Sequence, residues 1–168
     1  MKAKKVKIWI SAFLLLAITA CHVTYSFTGS QIDAKTISID FFPNKASIIQ
    51  PSLSQTLTEA FRDKFVNETK LELVERNAEL HLEGEIVGYN VKPVAIQANE
   101  TAAMNRLTIR VNVRYTNTLD ENQSFEQSFS SYQDYSTSTS LSSVEDQLIE
   151  IIVERIVEDV FNKALVNW

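Results

Sequence analysis

The sequence predicts an α+β fold, a two-layer sandwich in which two helices cover one face of a sheet. Three observations indicate this. Several segments alternate apolar and polar residues, which is typical of strands with one buried face. Two other segments repeat apolar residues at helical spacing, and each such helix needs an apolar surface to cover. One helix follows the first strand and the other ends the chain, so both can pack on the same side of the sheet.

The first half of the fold is predicted to be a strand, a helix and a short second strand. Residues 36–42 alternate, with Phe41 expected on the buried face. Residues 51–67 carry apolar side chains three or four positions apart, and Pro51 suits the first turn of a helix, where its missing N–H costs nothing. Residues 71–75 alternate again, which predicts the second strand.

Two long strands should follow, at residues 78–97 and 106–116. Gly84 and Gly88 in the first of them indicate a bulge or a close backbone approach. Strict alternation assigns the polar face of that strand to Glu79, His81, Glu83, Glu85 and Tyr89.

The end of the chain is predicted to be a strand at residues 124–135, a polar linker and a long helix at residues 143–166. The linker "STSTSLSS" ends in a capping-box pattern. We expect Ser142 to be the N-cap and Glu145 to bond back to its N–H.

The N-terminus has the pattern of a bacterial export signal, with Lys2, Lys4, Lys5 and Lys7 before a short apolar run. That run ends in Ile-Thr-Ala-Cys, which resembles the lipobox of bacterial lipoproteins; the alternative is an ordinary signal with a chance cysteine nearby. The lipobox predicts cleavage before Cys21, the only cysteine, and its acylation. Residues 1–20 are then the signal, 21–35 a lipidated tether and 36–168 the folded domain.

Composition excludes several classes of function. Removing the four lysines of the signal leaves twelve basic and 21 acidic residues, a net charge of −9. An acidic domain is a poor nucleic-acid binder because phosphate contacts need a basic surface. A single cysteine also excludes an internal disulfide.

No pattern in the chain indicates catalysis, a metal or a cofactor. His81 is interpreted as a surface histidine among glutamates, and no second histidine or thiol lies at the spacing of zinc ligands. No serine is paired by motif with a histidine that could activate it, so a hydrolase acting on envelope lipids is disfavoured. We therefore predict no enzyme, no metal and no cofactor.

A stripe of arginines is the main polar feature. Arg106, Arg110 and Arg114 are four apart and share one sheet face. One interpretation is a surface charge ladder, with Arg114 near Glu85 and Arg110 near Tyr89. The other is an anion site formed by Lys92, Arg106 and Arg110, because Lys92 and Arg106 have no obvious acidic partner and guanidinium groups suit phosphate.

Five segments spread along the chain carry a family resemblance. They are "YSFTG" (25–29), "KTISIDFFPNKA" (35–46), "PSLSQTLTEAFRDKF" (51–65), "RLTIRVNVRY" (106–115) and "DVFNKALVNW" (159–168). Together they resemble the LptE family of lipopolysaccharide-assembly lipoproteins, in the form found in Bacteroidetes-type bacteria. The resemblance implies a mixed four-stranded main sheet with two helices packed on one face.

The resemblance also implies a function. Members of this family plug the lumen of the outer-membrane β-barrel LptD, help it assemble and bind lipopolysaccharide during its delivery to the outer leaflet. The expected partners are an LptD-type barrel, lipopolysaccharide and, through the lipid anchor, the membrane. His22 after the cysteine, rather than aspartate, favours outer-membrane delivery. No acidic cluster of the kind that marks surface export in Bacteroidetes follows Cys21, so the domain is expected to face the periplasm. The alternative is an adaptor lipoprotein of another envelope transport system.

Overall fold

The structure is a computed structural model that describes residues 33–94 and 103–166. It confirms the α+β prediction. The signal and Cys21 lie outside the described residues. The elements are β1 (Thr36–Ile39), α1 (Leu53–Glu68), β2 (Glu72–Leu73), β3 (Leu80–Val94), β4 (Met104–Asn117), β5 (Phe125–Ser136) and α2 (Leu141–Leu165), with a 3₁₀ turn at Glu121–Gln123 before β5.

The strands form one mixed sheet in the order β2-β1-β3-β4-β5. β1 runs parallel to both β2 and β3, whereas β3, β4 and β5 form an antiparallel meander. The expected four-stranded main sheet gains a fifth strand because the two-residue β2 adds to the outer edge of β1.

A single apolar core lies between the sheet and the two helices. From Leu107 to Tyr115, the inward positions of β4 are all buried, as its regular alternation predicts. α1 and α2 pack against each other, α1 also contacts β1 and β2, and α2 also contacts β4 and β5. Both helices therefore cover the same face. Their buried stripes include Leu57, Phe61 and Phe65 of α1 and Leu148, Ile152, Ile156 and Val160 of α2.

The first strand is shorter than predicted, and as a result Phe42 rather than Phe41 is buried. β1 ends at Ile39, after which Phe41 is exposed and Phe42 is fully buried. Phe42 stacks on Phe61 with ring centroids 4.9 Å apart, and its backbone N–H donates to Thr58 Oγ1 at 3.1 Å. The expectation that Phe41 faces the core was wrong, because alternation does not continue once the chain leaves the strand.

Gly84 allows Phe42 to reach the core. A Cβ atom at this position would lie 2.6 Å from Phe42 Cε1 and 2.2 Å from the carbonyl oxygen of Asn112 on β4. The predicted close backbone approach is therefore confirmed: only glycine lets ring and strand meet here.

The predicted bulge is also present. The register between β3 and β4 shifts between Ile86 and Gly88, so Val87 is an extra residue on β3. One added residue moves every later side chain to the opposite face. Tyr89 is consequently buried on the helix side and donates a hydrogen bond to Glu145 of α2. Its predicted place on the polar face was wrong.

The long helix begins two residues before the predicted position. Its N-cap is Ser140 rather than Ser142, and Ser143 Oγ donates to the carbonyl oxygen of Ser140 at 2.7 Å. Glu145 accepts a hydrogen bond from Tyr89 and does not form the predicted capping box. Within the described parts of the chain, no helix combines the length and apolar character needed to cross a membrane.

Candidate functional site

The candidate site is the outer face, which we define as the side of β3, β4 and β5 that the helices leave uncovered. Because side chains alternate along a strand, every second residue of each strand points to this side. The residues of the outer face include His81, Glu83, Glu85, Gly88, Asn90 and Lys92 of β3, Arg106, Thr108, Arg110, Asn112, Arg114 and Thr116 of β4, and Glu126, Ser128, Ser130, Tyr132 and Asp134 of β5.

Arg106 is held in a fixed position by β5. Its Nε and Nη2 atoms donate to the two carboxylate oxygens of Asp134 at 2.7 and 2.9 Å, and its guanidinium carbon lies 3.7 Å from the centroid of the Tyr132 ring. These hydrogen bonds hold the pKa of Asp134 below its usual value. The expectation that Arg106 has no acidic partner was wrong: Asp134 is its cross-strand neighbour.

Lys92 of β3 lies directly opposite Arg106 of β4 in the antiparallel register. Its side chain is exposed and makes no ion pair with any residue in the described ranges. Like charges placed directly across a strand pair repel each other. The Lys92 end of the outer face therefore carries positive charge that Asp134 neutralises only in part.

On the outer face, Arg110 is the second exposed cation, after Lys92, that has no acidic partner among the described residues. It lies beside Gly88 on β3 and Ser130 on β5. The bulge explains why Gly88, rather than the predicted Tyr89, is its neighbour. Gly88 has no side chain to cover Arg110, and Ser130 is small, so the guanidinium group remains accessible to an anion.

Arg114 differs from Arg110 although both lie on the same strand and face. It donates to Glu83 Oε1 and Glu126 Oε2, each at 3.0 Å, which raises its pKa. The predicted partner Glu85 was wrong by two residues. The charge-ladder interpretation thus describes the end of the outer face at Arg114, whereas unneutralised cations lie at the end nearer Lys92.

We name the surface formed by Lys92, Arg106 and Arg110 the cationic patch. Between its cations lie neutral polar side chains, Asn90, Thr108, Ser130 and Tyr132, which can donate hydrogen bonds to oxygen atoms of a ligand. Such a surface can bind an anion through charge and hydrogen bonds.

Reasoning from the sequence found the three cations but missed Asp134 and Tyr132. Both lie on β5 and meet Arg106 only through the pairing of β4 with β5. The signal that could have found them is the turn at Glu121–Gln123, because its position fixes which residues of the two strands oppose each other.

Comparison with solved structures supports the fold alone. A hypothetical protein from Chlamydia trachomatis is 11% identical with a TM-score of 0.51, and 80% of this chain and 98% of that chain are covered. A protein from Xanthomonas campestris is 10% identical with a TM-score of 0.50, and 82% and 88% are covered. A minor lipoprotein from Acinetobacter baumannii is 12% identical, with 77% of this chain and 91% of that chain covered, but its TM-score of 0.45 is too low to support the fold. No curated protein sequence matches this chain significantly.

A model of the LptE family, described as lipopolysaccharide-assembly, matches residues 34–164. The matched range contains all five strands, the whole of α1 and nearly all of α2. It confirms the resemblance that the five sequence segments carry. Because the family is not enzymatic, it also confirms that the chain is not an enzyme. The chain therefore belongs to the LptE family of lipopolysaccharide-assembly lipoproteins.

Proposed function

We propose that the chain is an outer-membrane lipoprotein that plugs an LptD-type β-barrel, helps that barrel assemble and assists lipopolysaccharide delivery to the outer leaflet. The observation that carries this proposal is the family match over residues 34–164. It covers the whole sandwich, so the function is proposed for the domain as a unit.

The anchor of the proposed protein is Cys21, with residues 1–20 removed as a signal and residues 21–35 as a tether to the domain. Two or more acyl chains hold a protein stably at a membrane, whereas one gives only marginal binding. The expected location is the periplasmic side of the outer membrane. A short tether keeps the domain close to that surface and therefore close to the base of a barrel.

The outer face suits a polar lumen. Wide outer-membrane barrels have polar interiors, and a plug must present polar groups to them. Arg110, Asn112 and Ser130 are exposed on the outer face. The charge of Arg114 is balanced there by its salt bridges to Glu83 and Glu126. Because the apolar core is closed by both helices, the domain offers this face without exposing its interior.

The cationic patch is the proposed lipopolysaccharide contact. Lys92 and Arg110 supply charge that no described acidic residue neutralises. Arg106 is fixed by Asp134 and Tyr132. Its Nη1 atom does not contact Asp134 and can donate a hydrogen bond to a further oxygen atom. Phosphate groups on a lipopolysaccharide match this surface, because guanidinium groups bind phosphate oxygens in pairs.

Recovery of partners from solubilised outer membrane tests the proposal. An affinity-tagged full chain should bring down a large β-barrel protein in stoichiometric amount. The matched control is Cys21→Ala, which keeps the domain but removes the anchoring thiol and should lower that recovery. Failure to recover a barrel contradicts the plug function, and recovery of an exporter subunit instead supports the adaptor alternative.

A further inference from the structure

Three side chains that can bind a metal ion converge where β1 meets β3. Asp40 follows β1 directly, and His81 and Glu83 point to the same side of β3. His81 Nε2 lies 3.4 Å from Asp40 Oδ2 and 3.9 Å from Glu83 Oε2. One ligand atom from each residue lies within 4.8 Å of the other two. The parallel pairing of Ser38 with His81 produces this convergence across 41 residues of sequence.

Other atoms of these three residues already have partners within the protein. His81 Nδ1 lies 2.9 Å from the hydroxyl oxygen of Ser38, a residue only 3% exposed. The remaining oxygen of Glu83, Oε1, accepts a hydrogen bond from Arg114 at 3.0 Å. The backbone N–H of Asp40 donates to the carbonyl oxygen of Leu82 at 2.9 Å. Such outer contacts are what orient the ligands of a metal ion in proteins.

The spacing fits a shared ion better than direct hydrogen bonds. Both separations from His81 Nε2 exceed the usual range of about 2.7–3.2 Å for an N–H···O bond. A tetrahedral zinc ion with bonds of about 2.0–2.1 Å separates its ligand atoms by about 3.3 Å. The 3.4 Å separation of His81 Nε2 from Asp40 Oδ2 is close to that spacing, and Glu83 Oε2 lies 0.5 Å farther from His81 Nε2, at 3.9 Å.

We propose that Asp40, His81 and Glu83 bind a divalent transition-metal ion of the zinc type. In the tautomer that this site requires, the proton is on Nδ1 and is donated to Ser38 Oγ, which leaves the Nε2 lone pair for the metal. Two carboxylates neutralise the divalent charge, and water completes the coordination. The imidazole ligand favours zinc over calcium or magnesium, which prefer oxygen atoms alone. The bound ion ties the segment after β1 to the sheet.

The prediction of no metal site rested on ligand spacing along the chain. It found no second histidine or thiol near His81, and none is needed when carboxylates supply the other two ligands. Asp40 lies far from His81 in sequence and reaches it only through the β1–β3 pairing.

Competition for zinc with a chromogenic chelator, using the full chain purified in detergent and first treated with EDTA, tests this proposal. We expect saturable binding of one zinc ion that excess calcium does not displace. Ser38→Ala should weaken binding about tenfold, as loss of an outer contact does. His81→Gln, Asp40→Asn and Glu83→Gln should each weaken it further. Glu85→Gln, on the same face, and His22→Ala should bind like the parent chain.

The visible absorption of bound cobalt(II) provides a second measurement, which reports on metal coordination and not on the stability of the fold. The parent chain should give visible d–d absorption that His81→Gln abolishes, while circular dichroism shows that the variant is folded. The proposal is overturned if the chain binds no stoichiometric zinc, if His81→Gln binds as tightly as the parent, or if Glu85→Gln weakens binding equally. None of these outcomes depends on the barrel or on lipopolysaccharide.

Discussion

Tyr89 of β3 donates its phenolic hydrogen bond to Glu145 of α2, so the bulge in the sheet is joined to the start of the long helix. Burial and the neighbouring carboxylate raise the pKa of Tyr89, which keeps the hydroxyl protonated and able to donate. The bulge that places Tyr89 here also leaves Gly88 beside Arg110. One extra residue therefore shapes both the helix contact and the cationic patch.

Tyr89→Phe should lower the free energy of unfolding by about 1–2 kcal/mol, because a hydrogen bond to a charged group is lost. Urea denaturation measures this. Tyr115→Phe is the matched control: the Tyr115 hydroxyl is buried without a hydrogen-bond partner in the described chain, and its burial raises its pKa to about 12. That variant should be as stable as the parent or more stable. Equal destabilisation by the two changes would contradict the assignment.

Gly84→Ala should lower the free energy of unfolding by about 3 kcal/mol, because its Cβ would overlap Phe42 and the Asn112 backbone. Gly88→Ala is the comparison, since its Cβ would lie 3.1 Å from Arg110 Cβ and the neighbour can adjust. Thermal unfolding followed by circular dichroism should show a much larger loss for Gly84→Ala. Similar losses at both positions would contradict the packing of Phe42 described above.

Asp134 should contribute stability that depends on pH. Arg106 lowers its pKa in the folded chain, so the ionised carboxylate stabilises the fold above its unfolded pKa of about 3.9. That contribution is lost as the pH falls through the lower folded value. Asp134→Asn should cost less than about 1 kcal/mol at pH 7, because the pair is partly exposed. It should also make the stability fall less steeply below about pH 4.

Urea titrations between pH 2 and pH 7 measure this dependence. Glu75→Gln serves as the control, because Glu75 is exposed and has no ion pair among the described residues. An acid dependence that is unchanged in Asp134→Asn would show that the Arg106 contact does not persist in solution.

Arg110→Gln should weaken binding to vesicles that contain a phosphorylated lipopolysaccharide by about tenfold, because a hydrogen bond to a charged group contributes about 1.5 kcal/mol. Arg114→Gln is a matched control on the same strand and face, since Glu83 and Glu126 already occupy Arg114. Lys92→Gln should weaken binding in the same direction as Arg110→Gln. Flotation assays measure the affinities, and added salt should reduce the difference. Equal effects of Arg110→Gln and Arg114→Gln contradict the placement of the patch.

The sequence allowed most of the fold to be predicted where a pattern runs without interruption. β4 alternates from Arg106 to Thr116 and pairs on both sides, so its buried and exposed faces follow directly from the residues. The helices are equally clear because their apolar stripes cover a shared core. Membership of the family was recognisable because its segments occur in order along the chain.

Local irregularities limited the rest. The extra residue at Val87 moves the Tyr89 side chain from the outer face to the core. The early end of β1 leaves Phe41 exposed and buries Phe42 in its place. Both follow from competition between backbone geometry and core packing, which alternation alone does not reveal. The Asp134 contact with Arg106 and the Asp40 contact with His81 arise across strands. Residues distant in sequence meet only once the register is known.

Depletion of the chain in its native bacterium, followed by labelling of lipopolysaccharide on intact cells, tests the central claim most directly. An assembly role predicts that surface lipopolysaccharide falls and that the partner barrel becomes less abundant, because the barrel needs the chain to assemble. Re-expression of the intact chain should restore both, whereas Cys21→Ala should not. Surface lipopolysaccharide that stays unchanged after depletion would contradict a role in its assembly.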